Sequence, residues 1–95
     1  MKDYFVYIVR CSDNSYYTGS TSNLQQRIED HNSAKYDGYT SKRLLVILVY
    51  SNRFDNADDA IRAERQIKGW SRAKKEALIK GDFEELKRLS RSKNN

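Results

Sequence analysis

The fold is decided by one stretch near the start of the chain, YFVYIVRCSDNSYYTG, residues 4–19. Its first part is β-branched and aromatic, which predicts a strand over residues 4–11. Four turn-forming residues follow, and the extended pattern resumes from Tyr16 to Gly19, so the stretch predicts a β-hairpin. Each strand carries a tyrosine, Tyr7 in the first and Tyr17 in the second. Phenols at the edge of such a hairpin can converge on one phosphate with cations of the next helix.

A helix is predicted directly after the hairpin. Residues 22–25, SNLQ, fit a capping box in which Ser22 is the N-cap and the glutamine comes three residues later. The helix should reach His31 or Asn32, with Leu24 and Ile28 on its buried stripe.

The remainder of the chain predicts a loop, one strand and three more helices. Residues 33–43 have no periodicity and predict a loop long enough to be functional. The most apolar run, residues 44–50, predicts a central strand that is buried on both faces. Caps and glycines bound the helices: one from Asp55 or Asn56 to Lys68 before Gly69, one from Ser71 to about Lys80 before Gly81, and one from Asp82 to a frayed tail at residues 92–95.

The predicted order of elements is β-β-α-β-α-α-α. Three strands are too few to bury a core by themselves, so helices must cover the sheet. The sequence therefore predicts a compact α/β domain in which helices are layered on a small sheet.

Length and composition narrow the class of protein. Ninety-five residues predict a single domain over residues 1–95. No run approaches the roughly 20 apolar residues that cross a bilayer, and the N-terminus lacks the pattern of a secretory signal. One cysteine, Cys11, cannot form an internal disulfide, and no cluster of His and Cys exists for zinc. We expect a soluble cytoplasmic protein.

Positive charge is concentrated toward the C-terminus. The net charge is +5 and the pI is near 9.4, and residues 62–95 contain eleven Lys and Arg against five Asp and Glu. A basic helical region from about residue 70 favours nucleic acid as the partner, because each phosphate contact releases counterions. The alternative is that these cations are only the solvated faces of helices.

One carboxylate interrupts the apolar stripe of the second helix. Four apolar residues recur at helical spacing: Ala57, Ala60, Ile61 and Ile67. Glu64 falls among them, and burying a carboxylate is unfavourable unless a cation or metal compensates it. Glu64 is salt-bridged to a neighbour such as Arg27, or reaches water on a rotated stripe, or holds one hard divalent ion such as Mg²⁺.

The first helix carries two further candidates, Arg27 and His31, which share one helix face because they are four residues apart. Arginine is the side chain best shaped for bidentate phosphate contact, whereas a lone histidine is more often a packed or capping residue. Tyrosines, too, usually serve strand cores, and a catalytic one needs a neighbour that drives its phenol toward phenolate. A pair of Cys11 with His31 lacks a third group to orient it.

Taken together, these residues resemble the GIY-YIG nuclease family over nearly the whole chain. Phe5-Val6-Tyr7 stands at the first triplet and Tyr17-Thr18-Gly19 at the second. Arg27, His31 and Glu64 follow in the family's order. Residues 67–75, IKGWSRAKK, and the Leu78-Ile79 pair after them are similar to a branch of small stand-alone bacterial proteins.

The resemblance implies a three-stranded antiparallel sheet flanked by helices, with an active site on one sheet face that hydrolyses DNA. It implies that Tyr17 acts as general base or orients the attacking water, and that Tyr7 hydrogen-bonds into the same network. Arg27 would stabilise the pentavalent phosphate and His31 would assist on the attacking side. Glu64 would bind one Mg²⁺ or Mn²⁺ ion.

Three functions follow as hypotheses. The first is a Mg²⁺-dependent, structure-selective endonuclease for branched or nicked DNA in repair or recombination, whose DNA backbone would be held by Lys68, Trp70, Arg72, Lys74 and Lys75. The second is a non-catalytic nucleic-acid-binding module. It is favoured by Ser20 and Thr21, which stand where many active relatives carry a lysine, and by the lack of an asparagine in residues 70–81. The third is an interaction domain whose basic face binds an acidic protein.

Overall fold

The computed structural model describes residues 2–33 and 45–91 of the chain. Within these ranges the elements are β1 (Tyr4–Arg10), β2 (Tyr16–Thr21), α1 (Leu24–Asn32), β3 (Ile47–Phe54), α2 (Ala57–Lys68), α3 (Arg72–Lys80) and α4 (Phe83–Arg91). This order confirms the predicted β-β-α-β-α-α-α arrangement. The predicted loop, from residue 34 onward, and the predicted frayed tail at 92–95 lie outside the described residues.

The three strands form one antiparallel sheet in the order β2-β1-β3, as the resemblance implied. The central strand is therefore β1, which pairs with both neighbours and whose residues Val6 to Val9 are fully buried. The pairing of β1 with β3 is regular except for a shift of register at Ile8 and Val9.

The prediction that residues 44–50 form the central strand is wrong. The strand begins at Ile47 and, within residues 2–33 and 45–91, pairs only with β1 and lies at the edge of the sheet. Both Ile47 and Leu48 are exposed. An apolar run indicates a strand, but hydropathy does not say on how many sides that strand is paired or covered, since apolar atoms also make up much of a protein surface.

Successive residues of β1 point to opposite faces of the sheet. Val6 and Ile8 pack in one cluster with Ala60, Ile67 and Leu78 of α2 and α3. Tyr7 and Val9 pack in a second cluster, with half-buried Tyr17, Leu24 and Ile28 against it. The first face is thus the main core, and the second face, beneath α1, holds Tyr7 and Tyr17.

The helix ends show where cap chemistry was predicted correctly. Asn56 caps α2, accepting a hydrogen bond from the Asp59 N–H at 2.9 Å, and Gly69 ends that helix, as predicted. The predicted cap Ser22 of α1 is wrong by one residue. Asn23 is the cap, because its side chain accepts from the Gln26 N–H at 3.1 Å.

The third helix begins and ends as predicted, and the fourth begins at Phe83, directly after Asp82, as predicted, whereas its predicted fraying at residues 92–95 lies outside the described residues. Ser71 caps α3, and Gly81 ends it with a φ of 73°, in the left-handed region that glycine adopts without strain. No helix in residues 2–33 or 45–91 has the length and apolar composition that crossing a bilayer requires.

Candidate active site

Three aromatic rings from three different elements meet on the α1 face of the sheet. The β1–β2 register places Tyr7 opposite Gly19 and Tyr17 opposite Val9, so the two tyrosines are diagonal neighbours on one face. Their ring centroids are 6.4 Å apart, and the His31 ring of α1 lies 5.9 Å from Tyr7 and 5.4 Å from Tyr17. The structure therefore brings together the two tyrosines and the histidine singled out in the sequence.

Gly19 makes room for this cluster. A Cβ atom at Gly19 would lie 2.5 Å from Tyr7 Oη and 2.7 Å from Tyr7 Cζ, closer than the Cβ atoms of real side chains approach their neighbours. The Tyr7 ring thus lies directly over the glycine, which explains physically why the second triplet ends in that residue.

Tyr7 and His31 are linked by a buried hydrogen bond of 3.0 Å between Tyr7 Oη and His31 Nε2. Burial raises the pKa of Tyr7 to about 12, although a hydrogen bond from Arg27 acts in the opposite direction. Burial and the neighbouring Arg27 charge lower the pKa of His31 below its usual value of 6.5. At neutral pH the pair is consequently a phenol and an uncharged imidazole, with Arg27 as the permanent cation beside them.

Glu64 lies on α2 with its side chain 17% exposed, and both of its oxygens have partners. Ser20 Oγ donates to Oε1 at 2.8 Å, and Lys68 Nζ donates to Oε2 at 2.8 Å. The cation of the ion pair is therefore Lys68, and not Arg27 as we suggested. Ile61, which we placed on the buried stripe, is exposed, because the helix is rotated so that Ala63 rather than Ile61 packs on the core.

These contacts keep Glu64 ionised. Burial alone would raise the pKa of its carboxyl, but the hydrogen bonds from Lys68 and Ser20 and the charges of Lys68 and Arg65 outweigh it, so that the pKa lies below its usual value. The Glu64 charge also acts on Tyr7, whose pKa it helps to raise. Lys68, which pairs with Glu64 and has its Nζ 5.8 Å from the Tyr17 ring centroid, connects the carboxylate to the tyrosine cluster.

The donor set around Glu64 fits a Mg²⁺ ion of the kind that is held by one carboxylate and completed by water and substrate oxygens. No group of three or more His, Cys, Asp or Glu side chains occurs within the described part of the chain, so a site built wholly from protein ligands is not available there. An ionised, partly exposed carboxylate beside the hydroxyl of Ser20 suits the simpler site, provided that the Lys68 ammonium moves aside.

Sequence reasoning missed the contribution of two residues to this cluster. Lys68, which we assigned to the DNA backbone, pairs with Glu64 and places its Nζ 5.8 Å from the centroid of the Tyr17 ring. Its spacing of four residues from Glu64 was the available signal. Ser20 carried no signal, since its contact joins residues 44 positions apart.

Of the other basic candidates, Arg72 lies against Tyr16, which is not one of the rings of the cluster. Arg72 fastens the β1–β2 turn to α3: its guanidinium donates to the Asn14 carbonyl at 2.7 Å and to Glu76 at 3.1 Å, and lies 4.4 Å from the centroid of the Tyr16 ring. The remaining two lysines differ in their surroundings. Lys75 is partly buried, with a pKa lowered by burial and by the charge of Lys68, whereas Lys74 lies 5.6 Å from the Trp70 ring centroid. Their predicted contacts with DNA stay predictions.

Comparison with known proteins gives the same picture from an independent direction. The model of the GIY-YIG catalytic domain matches residues 3–77. A UPF0213 protein of Staphylococcus haemolyticus is 46% identical over 79 residues, which are 83% of this chain and 96% of that protein. A UPF0213 protein of Natronomonas pharaonis is 42% identical over 77 residues, 81% of this chain and 91% of that protein.

Solved structures agree with the fold. The solution structure of a UPF0213 protein from Bacillus halodurans is 38% identical, with a TM-score of 0.55, and the match covers 93% of this chain and 97% of that one. A solution structure from E. faecalis is 31% identical, with a TM-score of 0.59 over 87% of this chain and 88% of that one.

Proposed function

We propose that this chain, which belongs to the GIY-YIG family and to its UPF0213 branch, is an endonuclease that hydrolyses phosphodiester bonds in DNA. The observation that carries the proposal is the convergence of the Tyr7, Tyr17 and His31 rings beside Arg27, with Glu64 linked to them through Lys68, which pairs with the carboxylate and has its Nζ 5.8 Å from the Tyr17 ring centroid. The three rings, Arg27 and Glu64 are the side chains that the family resemblance assigned to the reaction.

The protonation states divide the roles among the aromatic residues. Tyr7, with a pKa near 12, stays a phenol at neutral pH and holds His31 through its hydrogen bond rather than acting as a base. Tyr17, which meets the Tyr7 ring at a tilt and the His31 ring edge-on, would orient the attacking water or take its proton. His31 is uncharged, so it can accept a proton on the attacking side.

Two cations, Arg27 and Lys68, lie beside the ring cluster, where we place the phosphate of the substrate. Arg27, held by its hydrogen bond to Tyr7, offers a guanidinium to the phosphate as negative charge develops on it. A Mg²⁺ ion bound at Glu64 would supply a Lewis acid for the phosphoryl oxygens. Lys68, which pairs with Glu64 in this structure and has its Nζ 5.8 Å from the Tyr17 ring centroid, would be a second cation on that side of the site.

We propose branched or nicked DNA as the substrate, with a role in repair or recombination. The described residues offer cations for the backbone, while none of the described elements is arranged to read base edges in a groove, which favours selection by shape.

The test is cleavage of nicked, flapped and linear duplexes by the purified chain with Mg²⁺ or with EDTA. We expect Glu64→Gln and Tyr17→Phe each to slow cleavage by about 10²-fold or more, since each removes a group that acts at the reacting phosphate. Glu76→Gln is the matched control, because that carboxylate serves the hairpin turn and not the ring cluster. Cleavage at equal rates by wild type and Glu64→Gln would show that a contaminating nuclease is responsible.

The Glu64–Lys68 ion pair favours one second candidate, a module that binds nucleic acid without cleaving it. In that protein Lys68 would stay on Glu64 as a permanent structural pair. It predicts salt-dependent DNA binding that neither Mg²⁺ nor Glu64→Gln changes, together with no cleavage of any substrate.

A further inference from the structure

A groove beside α4, separate from the ring cluster, combines aromatic side chains with positive charge. It has a volume of about 400 Å³, at the lower end of the ~300–1,000 Å³ typical of small-ligand sites. Its lining residues are Trp70, Phe83, Leu86, Lys87, Ser90 and Arg91.

The aromatic side chains of the groove are more exposed than the fold requires. Phe83 is 60% exposed, and α4, which carries it, has no fully buried residue. Trp70 is half-buried: it packs against the main core and also lines the groove. Exposed aromatic surface next to a groove marks binding more often than it marks folding.

The charged side chains that line the groove are both positive. Lys87 and Arg91 line it, Lys74 places its Nζ 5.6 Å from the Trp70 ring centroid, and no carboxylate is among the lining residues. The nearby Glu85 of α4 is already paired with Arg88 at 2.6 Å. A second copy that met this groove with its own groove, in a symmetric pair, would bring the same cations and be repelled, so the complementary occupant is an anion with an apolar, flat part.

We infer that this groove binds an unpaired nucleobase of single-stranded DNA, which stacks on Trp70 or Phe83 while Lys87 and Arg91 contact the adjoining phosphates. Every base has a π-face, so aromatic stacking combined with cations that follow the backbone is how single strands are held without sequence preference. The inference rests on the proposed function only for the choice of DNA. It adds that the substrate has a single-stranded segment, as a flap does and a simple nick does not.

The single tryptophan makes the inference directly measurable, because Trp70 is the only Trp of the chain and lines the groove. The full chain, in EDTA so that Mg²⁺-dependent cleavage does not intervene, is titrated with an eight-nucleotide oligo-dT and with an abasic oligomer of equal length and charge. We expect oligo-dT to quench Trp70 fluorescence and to bind at least tenfold more tightly than the abasic oligomer.

Phe83→Ala should weaken oligo-dT binding by about tenfold and leave abasic binding unchanged, whereas Phe83→Tyr should retain it. Because Phe83 is exposed, neither variant is expected to unfold the chain, and thermal melting of each checks this. Leu45→Ala is the matched control, since Leu45 is 67% exposed but does not line the groove.

Equal binding of the abasic oligomer and oligo-dT would overturn the inference, because only the backbone would then be recognised. Quenching by an acidic peptide and not by oligo-dT would overturn it in favour of a protein partner. Neither result touches the endonuclease proposal, which stands or falls on cleavage by wild type against Glu64→Gln. If oligo-dT stacked in the groove but no substrate were cleaved, the inference about the groove would stand and the endonuclease proposal would be wrong.

Discussion

Replacing Gly19 with alanine adds one methyl group at the most crowded point of the ring cluster. That methyl carbon would lie 2.7 Å from Tyr7 Cζ, whereas carbon atoms attract best at about 3.5–4.0 Å. The Tyr7 ring must therefore move by about 1 Å, or β2 must separate from β1. Tyr7 has little freedom to do so, since it is fully buried on the central strand and hydrogen-bonded to His31.

The expected loss of stability is about 1–2 kcal/mol. Overpacking of this kind usually destabilises by about 1–3 kcal/mol. About 0.4–1 kcal/mol is regained, because alanine restricts the unfolded chain more than glycine does. Gly19 does not have a positive φ, so the backbone itself tolerates alanine and the destabilising part of the effect is steric.

Urea unfolding of four proteins measures this effect: wild type, Gly19→Ala, Tyr7→Leu and the double variant. Leucine lacks the Cζ and Oη atoms, so in the Tyr7→Leu background Gly19→Ala should be neutral or slightly stabilising. Gly69→Ala is a second control, because its Cβ would meet its nearest neighbour, the Gln66 carbonyl oxygen, only at 3.6 Å. An equal loss from Gly19→Ala in both Tyr7 backgrounds would refute the steric argument.

Two other predictions concern single side chains. The only histidine of the chain, His31, should show an NMR titration midpoint below 6.5. As the pH drops below about 6.5, the unfolded chain binds a proton at His31 before the folded chain does, so the free energy of unfolding should fall. A midpoint above 6.5, or the same decline between pH 7 and 5 in His31→Gln, would contradict this. Thr18 Oγ1 is buried with no hydrogen-bond partner among the described residues, so Thr18→Val should raise the free energy of unfolding by about 1 kcal/mol and Tm by about 4–8 °C. A lower Tm in calorimetry would mean that the hydroxyl has a partner after all.

Local chemistry explains what the sequence predicted well. The turn formers of the hairpin and the glycines Gly69 and Gly81 act within a few residues, so their effects can be read from the chain itself. The position of β3 is different, because a strand becomes central only through partners supplied by distant segments. β1 is central because both β2 and β3 pair with it, and its apolar and aromatic run alone did not distinguish it from the apolar run at residues 44–50.

The candidate site was predicted in the same uneven way. Tyr7, Tyr17 and His31 could be brought together because a hairpin and the next helix fix their relative positions. The environment of Glu64 could not be foreseen, since Ser20 reaches it only after α2 has packed beside β2. The ion pair with Lys68 was within reach of the i, i+4 rule, and its connection to Tyr17 was not.

The burial of β1 has a consequence for which parts of the fold open locally. Tyr7 lies between Val6 and Ile8, so it belongs to the strand whose amides should exchange with solvent only when the whole domain unfolds. By the same measure α4, without a fully buried residue, belongs to the end of the molecule that opens most readily. Hydrogen exchange should therefore run from slow at the ring cluster to fast at the groove. In the complex that we propose, single-stranded DNA would bind beside α4, which opens most readily, and the cleavage site would lie on β1, which opens last.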